Sequence, residues 1–127
     1  MVAVRWLGIF LGGGVGSMLR FWLQGVVQVA TGAGFPWGTF AVNASGCFAI
    51  GLLATLLEER SLLGPNGRIF LLVGILGGYT TFSTFGLETW RLIESAEWKL
   101  ALGNALGSVL VGLLAVAGGV ALGRLAS

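Results

Sequence analysis

Long runs without charge constrain this chain more than any motif does. No Asp, Glu, Lys or Arg stands between Arg5 and Arg20, or between Arg20 and Glu58. None occurs from Ile69 to Leu87, or from Leu100 to Gly123. A helix needs about 20 apolar residues to cross the hydrocarbon core of a bilayer. The stretch from Arg20 to Glu58 is too long for one crossing. Its middle, Thr31-Gly32-Ala33-Gly34-Phe35-Pro36-Trp37-Gly38, is a Gly/Pro turn cluster flanked by aromatics of the kind found at membrane interfaces. The pattern predicts a single all-α integral membrane domain over residues 1–127. Its four transmembrane helices fall at roughly 4–30, 38–57, 67–90 and 98–124. The first is read as a span rather than a signal peptide, because no small-x-small cleavage site follows promptly and three more spans come after it.

Composition closes the competing classes. Only 9% of residues are charged, against about 25% in soluble domains, too few to cover a surface facing water. Disorder requires low hydrophobicity and high net charge; this chain is 56% hydrophobic with a net charge of +2. Cys47 is the single cysteine and there is no histidine. That excludes an intrachain disulfide, a Cys/His zinc site and histidine-based catalysis. No phosphate-loop motif occurs. The run Gly12-Gly13-Gly14-Val15-Gly16-Ser17 lacks the last glycine of a dinucleotide fingerprint and has no strand before it. Neither an enzyme, nor a nucleotide, nor a nucleic-acid partner is expected; the partner is the lipid bilayer.

Four crossings place both ends of the chain on one side, with Arg5, Arg60, Arg68 and Arg124; Arg91 and Lys99 lie on the other, and Arg20 within the first span. So small a bias suits insertion in both orientations, which permits an antiparallel dimer and the pseudo-two-fold that larger transporters build from inverted repeats. Glycine supplies 23 of 127 residues, at Gly8/Gly12/Gly16, Gly74/Gly78, Gly103/Gly107 and Gly119/Gly123 among others. Such spacing lets helices approach closely in lipid.

Polar groups within spans are costly and therefore informative. Gly77-Gly78-Tyr79-Thr80-Thr81-Phe82-Ser83-Thr84-Phe85 is poor sequence for a continuous helix and predicts a third helix broken at mid-membrane. Carbonyls freed there can coordinate a hard cation such as Na⁺. Phe82 and Phe85 share one helix face, and their ring edges are electropositive. Alternatively, the hydroxyls bond back to their own helix and the rings only pack. Thr39 and Asn43 are spaced i, i+4, as are Asn104 and Ser108. Each pair offers donors to an ion or serves as glue between helices. Arg20 and Glu88 are the only ionisable groups well inside spans. A path lined by neutral donors and aromatic edges suits a small, strongly hydrogen-bonding anion.

These strings resemble the small bacterial fluoride channels, the Fluc or CrcB family, over nearly the whole chain. The shared residues are Gly12, Gly13, Gly16, Arg20 and Phe21 in span one. Span two contributes Pro36, Gly38, Thr39, Val42, Asn43 and Gly46. Most specific is Gly77-Gly78-x-Thr80-Thr81-Phe82-Ser83-Thr84-Phe85-x-x-Glu88 in span three. The resemblance implies a dual-topology antiparallel homodimer in the bacterial inner membrane, with two fluoride pores and a structural Na⁺ on the carbonyls of Gly77 and Thr80. It implies that Asn43 donates to fluoride and that Phe82 and Phe85 present ring edges to it. Ser83, Thr84, Thr39, Asn104 and Ser108 would line the pore, and Arg20 its vestibule. Tyr79 stands where the family pattern leads one to expect a smaller apolar residue. Two other readings compete. A proton-coupled multidrug exporter needs an acid in the first span, which this chain lacks. A non-transporting assembly subunit leaves the Gly77–Phe85 string unexplained.

Overall fold

A computed structural model describes residues 2–32 and 34–126. Ala33 of the turn cluster, and Met1 and Ser127 at the ends of the predicted domain, lie outside the described residues. The described chain is all helical. Helix α1 is Val2–Thr31 and α2 is Trp37–Arg60. Helix α3 covers residues 65–79, as an opening turn Pro65–Arg68, a π-helical segment Ile69–Ile75 and a closing turn Leu76–Tyr79. Helix α4 is Phe82–Glu94 and α5 is Trp98–Ala126. With Pro65–Glu94 taken together, four helices are long and apolar enough to cross a membrane. Each extends a few residues beyond the predicted span, because flanking polar residues such as Glu58, Glu59 and Arg60 continue helical hydrogen bonding outside the apolar run.

The interior is unlike that of a water-soluble bundle. Val42, Leu57, Leu76 and Ala101 are the buried apolar residues, with Thr39, Thr55 and Asn104 buried beside them. Much of the remaining buried set is glycine. Large apolar side chains such as Trp6, Phe10, Phe21, Val29 and Leu114 point outward. Lipid tails are as apolar as leucine, so nothing drives these groups inside, and close backbone approach takes over as the packing principle.

Two glycine seams carry that approach. On α1, a β-carbon at Gly12 would lie 2.8 Å from the Phe70 carbonyl oxygen and 3.1 Å from the Gly74 Cα. One at Gly16 would collide with the Ile75 carbonyl and sit 2.9 Å from the Tyr79 nitrogen. The second seam joins α2 to α5. There Gly51 abuts the Val116 backbone, Gly119 abuts Phe48 and Leu52, and Gly123 faces Thr55. Gly103 and Gly107 behave otherwise: a β-carbon at Gly103 meets nothing within 4 Å, and one at Gly107 only the Phe40 ring edge at 3.9 Å. Their spacing matches the packing motif, but that face of α5 is not pressed against a neighbour within the chain.

Gly16 and Gly14 therefore make a matched test on one helix. Gly16→Ala forces backbone apart and should destabilise the protein by about 1–3 kcal/mol, the usual scale for overpacking. Gly14→Ala, with nothing within 4 Å of its added carbon, should be neutral or slightly stabilising. Thermal unfolding in detergent, followed by circular dichroism, separates the two.

Candidate functional site

Between α3 and α4 the backbone leaves helical conformation for two residues. Thr80 has φ −84° and ψ 157°, and Thr81 has φ −148° and ψ 120°. Two glycines, poor helix formers, precede them. An extended pair strands amides and carbonyls that a helix would have joined, and each needs another partner.

The partners come from four directions. Asn43 on α2 presents its amide edge to Thr81. Its Nδ2 donates to the Thr81 carbonyl at 2.9 Å, and its Oδ1 accepts from the Thr81 N–H at 2.8 Å. Arg20 on α1 donates from Nε to the Gly78 carbonyl at 3.1 Å. The Thr80 N–H and hydroxyl both donate to the Leu76 carbonyl, each at 3.1 Å. The Thr81 hydroxyl oxygen caps α4, accepting from the Thr84 N–H at 3.2 Å, the ordinary N-cap geometry.

Four carbonyls, those of Gly77, Gly78, Tyr79 and Thr80, lose their helical donors at this break, and that of Gly78 accepts from Arg20 instead. Gly77 would accept from the Thr81 N–H in a continuous helix, and that N–H goes to Asn43. Thr80 would accept from the Thr84 N–H, and that N–H goes to the Thr81 hydroxyl. Carbonyl oxygens freed in this way, those of Gly77 and Thr80 among them, are hard oxygen ligands by chemical type. Among the described residues no cluster of three His, Cys, Asp or Glu side chains could hold a metal ion.

Asn43, Gly77, Thr80, Thr81 and Phe82 line one cavity of about 340 Å³. Phe82 is 84% exposed; its ring centroid lies 5.7 Å from that of Phe85, with the planes tilted by 40°. Ser83 and Thr84 fall in the first turn of α4, where backbone N–H groups point out of the helix end and favour negative charge. The Thr81 hydroxyl lies 3.1 Å from Thr84 Oγ1 and 3.5 Å from Ser83 Oγ.

Other expected residues sit apart from that cavity. Asn104, 2% exposed, donates from Nδ2 to Thr89 Oγ1 at 2.8 Å, and Thr89 donates to the Phe85 carbonyl at 2.8 Å. Ser108 donates to Asn104 Oδ1 at 3.1 Å. The Asn104–Ser108 pair thus forms a chain of donors joining α5 to α4. Thr39 accepts from Gln24 Nε2 at 3.0 Å. Arg20 lines a separate cavity of about 540 Å³ with Gln24, Gln28 and Glu88, and Glu88 Oε1 is buried there without a hydrogen-bond partner. Tyr79, the departure from the family pattern, pairs its hydroxyl with Ser45 Oγ at 2.8 Å. A β-carbon at Gly46 would lie 3.3 Å from the Tyr79 ring.

Gln24, Gln28 and Thr89 escaped the reading of the sequence. Gln28 builds the turn before α2: its amide oxygen accepts from the Gly38 N–H at 3.0 Å, and its Nε2 donates to the carbonyls of Gly32 and Phe35 at 2.5 and 3.0 Å. The signal lay in the spacing of Arg20, Gln24 and Gln28, which places three polar side chains on one face of α1.

Comparison with known proteins points one way. Residues 7–120 match the family described as CrcB-like protein, Camphor Resistance (CrcB). The chain is 49% identical over 121 residues to a protein of Solibacter usitatus named fluoride-specific ion channel FluC, covering 95% of this chain and 99% of that one. A protein of the same name from Thermus thermophilus is 50% identical over 109 residues, 86% of each chain. Another from Chloroflexus aurantiacus is 46% identical over 118 residues, 93% of this chain and 94% of that one.

Asn43→Ala removes both partners of Thr81 at once. Leaving its N–H and carbonyl unmet should destabilise the protein by about 1–3 kcal/mol. Amide exchange at Thr80, Thr81 and Phe82 should accelerate relative to α5, measured by hydrogen–deuterium exchange.

Proposed function

Because the chain belongs to the CrcB family, we propose that it is a fluoride-selective ion channel that lets cytoplasmic fluoride leave passively. The carrying observation is the two-residue interruption at Thr80 and Thr81, around which donors and carbonyls gather. Fluoride is small and strongly hydrated, so a selective path must replace its water with hydrogen-bond donors. An Asn amide has two N–H donors; Asn43 commits one to the Thr81 carbonyl, and the other serves the anion. The first turn of α4 adds backbone N–H groups at Phe82 and Ser83 and the positive end of its helix dipole. Phe82 and Phe85 offer electropositive ring edges. Arg20, in the cavity shared with Glu88, raises the local concentration of anions at the vestibule.

The remaining parts follow the family. The chain works as an antiparallel dual-topology homodimer with two pores, in the bacterial inner membrane. A Na⁺ at the dimer centre is held by Gly77 and Thr80 carbonyls; the diversion of their helical donors to Asn43 and Thr81 supports this assignment. When bound, that ion supplies fixed positive charge and ties the interrupted helices together. Thr39, Ser83, Thr84 and Asn104 supply further donors along the path, and Ser108, whose proton goes to Asn104, holds that amide in place. Hydrogen fluoride crosses membranes as the neutral acid and dissociates inside. A negative-inside potential then drives the anion out by about 2.3 kcal/mol per charge per 100 mV. No exporter chemistry is needed, and α1 carries no Asp or Glu to bear a coupled proton.

Two substitutions test the residue roles. Phe82→Ile keeps much of the volume but loses the aromatic edge; fluoride flux through liposomes should fall about tenfold or more, or ~1.4 kcal/mol, the scale of one favourable aromatic contact. Asn43→Asp keeps the acceptor for the Thr81 N–H and places like charge in the path; flux should fall further. Flux at the unmodified level in both would remove the cavity at Asn43 and Phe82 from the conduction path.

A further inference from the structure

Thr39 departs from the usual habit of a threonine in a helix. A threonine in a helix commonly returns its hydroxyl proton to the carbonyl four residues back. The helical Thr31, Thr55 and Thr89 do so here, donating to Val27, Gly51 and Phe85, as does Thr80 just past the end of α3, donating to Leu76; Thr84, in the first turn of α4, instead accepts from the Thr81 hydroxyl. Thr39, only 2% exposed, does not donate four residues back. The carbonyl four residues before it belongs to Phe35, which already accepts from Gln28 Nε2 at 3.0 Å and from the Trp37 N–H at 2.8 Å. The Thr39 oxygen is itself engaged as an acceptor, by Gln24 Nε2 at 3.0 Å. One hydroxyl hydrogen is left over, buried, with no acceptor among the described residues. Buried donors are nearly always matched, so an unmatched one marks where an outside acceptor arrives.

The arrangement is one-directional. An amide N–H can only donate, so Gln24 compels Thr39 to accept from it and to spend its proton elsewhere. Gln28 closes the alternative by occupying Phe35. One turn further along α2, Asn43 also retains an N–H after serving Thr81. We propose that Gln24 is a positioning residue that holds Thr39 as a committed hydrogen-bond donor to the permeating anion, with Gln28 blocking the competing acceptor. The inference rests on the fluoride-channel reading. It assigns to α1 the setting of donor polarity on α2, so that Thr39 and Asn43 present successive donors to one small, dehydrated anion.

The test is a double-mutant cycle on the full chain in liposomes, reading fluoride efflux and the fluoride-to-chloride ratio. Helicity and size in detergent are followed to show that each variant folds. Gln24→Glu replaces the donating amide with a carboxylate that only accepts and therefore captures the Thr39 proton. Fluoride efflux and the fluoride-to-chloride ratio should both fall about tenfold, the scale of one lost hydrogen bond. Thr39→Val should cost about as much, Thr39→Ser should retain efflux, and adding Gln24→Glu to Thr39→Val should cost little more. Equal losses from Gln24→Glu in both backgrounds would trace the effect to the new charge and overturn the proposal. Undiminished efflux in Thr39→Val or Gln24→Glu would overturn it as well. If Gln24→Glu does not fold, the contrast of Thr39→Val with Thr39→Ser decides: equal efflux from the two overturns the proposal. Failure of the unmodified protein to pass fluoride would instead defeat the channel reading itself.

Discussion

The paired hydrogen bonds between the Asn43 side chain and the Thr81 backbone are the contact on which the rest of the site depends. Two residues of extended backbone in an apolar helix would otherwise expose unmet polar groups, which lipid punishes by several kcal/mol each. Asn43 answers both groups of Thr81 with one side chain. In taking the Thr81 N–H it frees the Gly77 carbonyl. In leaving helical geometry, Thr81 becomes the cap of α4 and frees the Thr80 carbonyl. One interaction thereby creates a helix N-terminus with outward-facing N–H groups and, beside it, carbonyl oxygens without their usual donors. The donors and acceptors that the proposed channel would use arise from the same interruption.

That interruption is held in place by helices packed backbone to backbone. Gly12 and Gly16 bring α1 against Phe70, Gly74, Ile75 and Tyr79, close enough for Arg20 to reach the Gly78 carbonyl. The α2–α5 seam at Gly51, Gly119 and Gly123 fixes the helix that carries Asn43. Glycine here is not a source of flexibility. It removes the β-carbons that would keep the polar groups out of reach of one another. The outward-facing Leu, Val, Phe and Trp side chains then meet lipid.

Much of this was legible in the sequence, for physical reasons. Charge-free runs mark spans because charge is expensive in hydrocarbon, and the string from Gly77 to Phe85 stands out because hydroxyls and paired glycines are poor material for a lipid-facing helix. Asn43 was recognisable as a polar group in an apolar span, but its dual role was not: nothing in its spacing shows that it serves a backbone 38 residues away. Gln24 and Gln28 were passed over because they sit near a span end, where glutamine is unremarkable. Thr89 looked like one more hydroxyl until the fold brought Asn104 to it. Gly103 and Gly107 show the converse: the spacing permits close packing, and only a facing helix makes it happen.

On the proposed reading, the protein is a conduit whose selectivity comes from donors that the fold has already placed. That reading's central claim is tested most directly by anion efflux from liposomes holding the purified protein, with fluoride and chloride compared in the presence of valinomycin to dissipate the potential. The account predicts fast fluoride release with chloride retained. Retention of both anions by folded, membrane-inserted protein, or equal release of both, would contradict it.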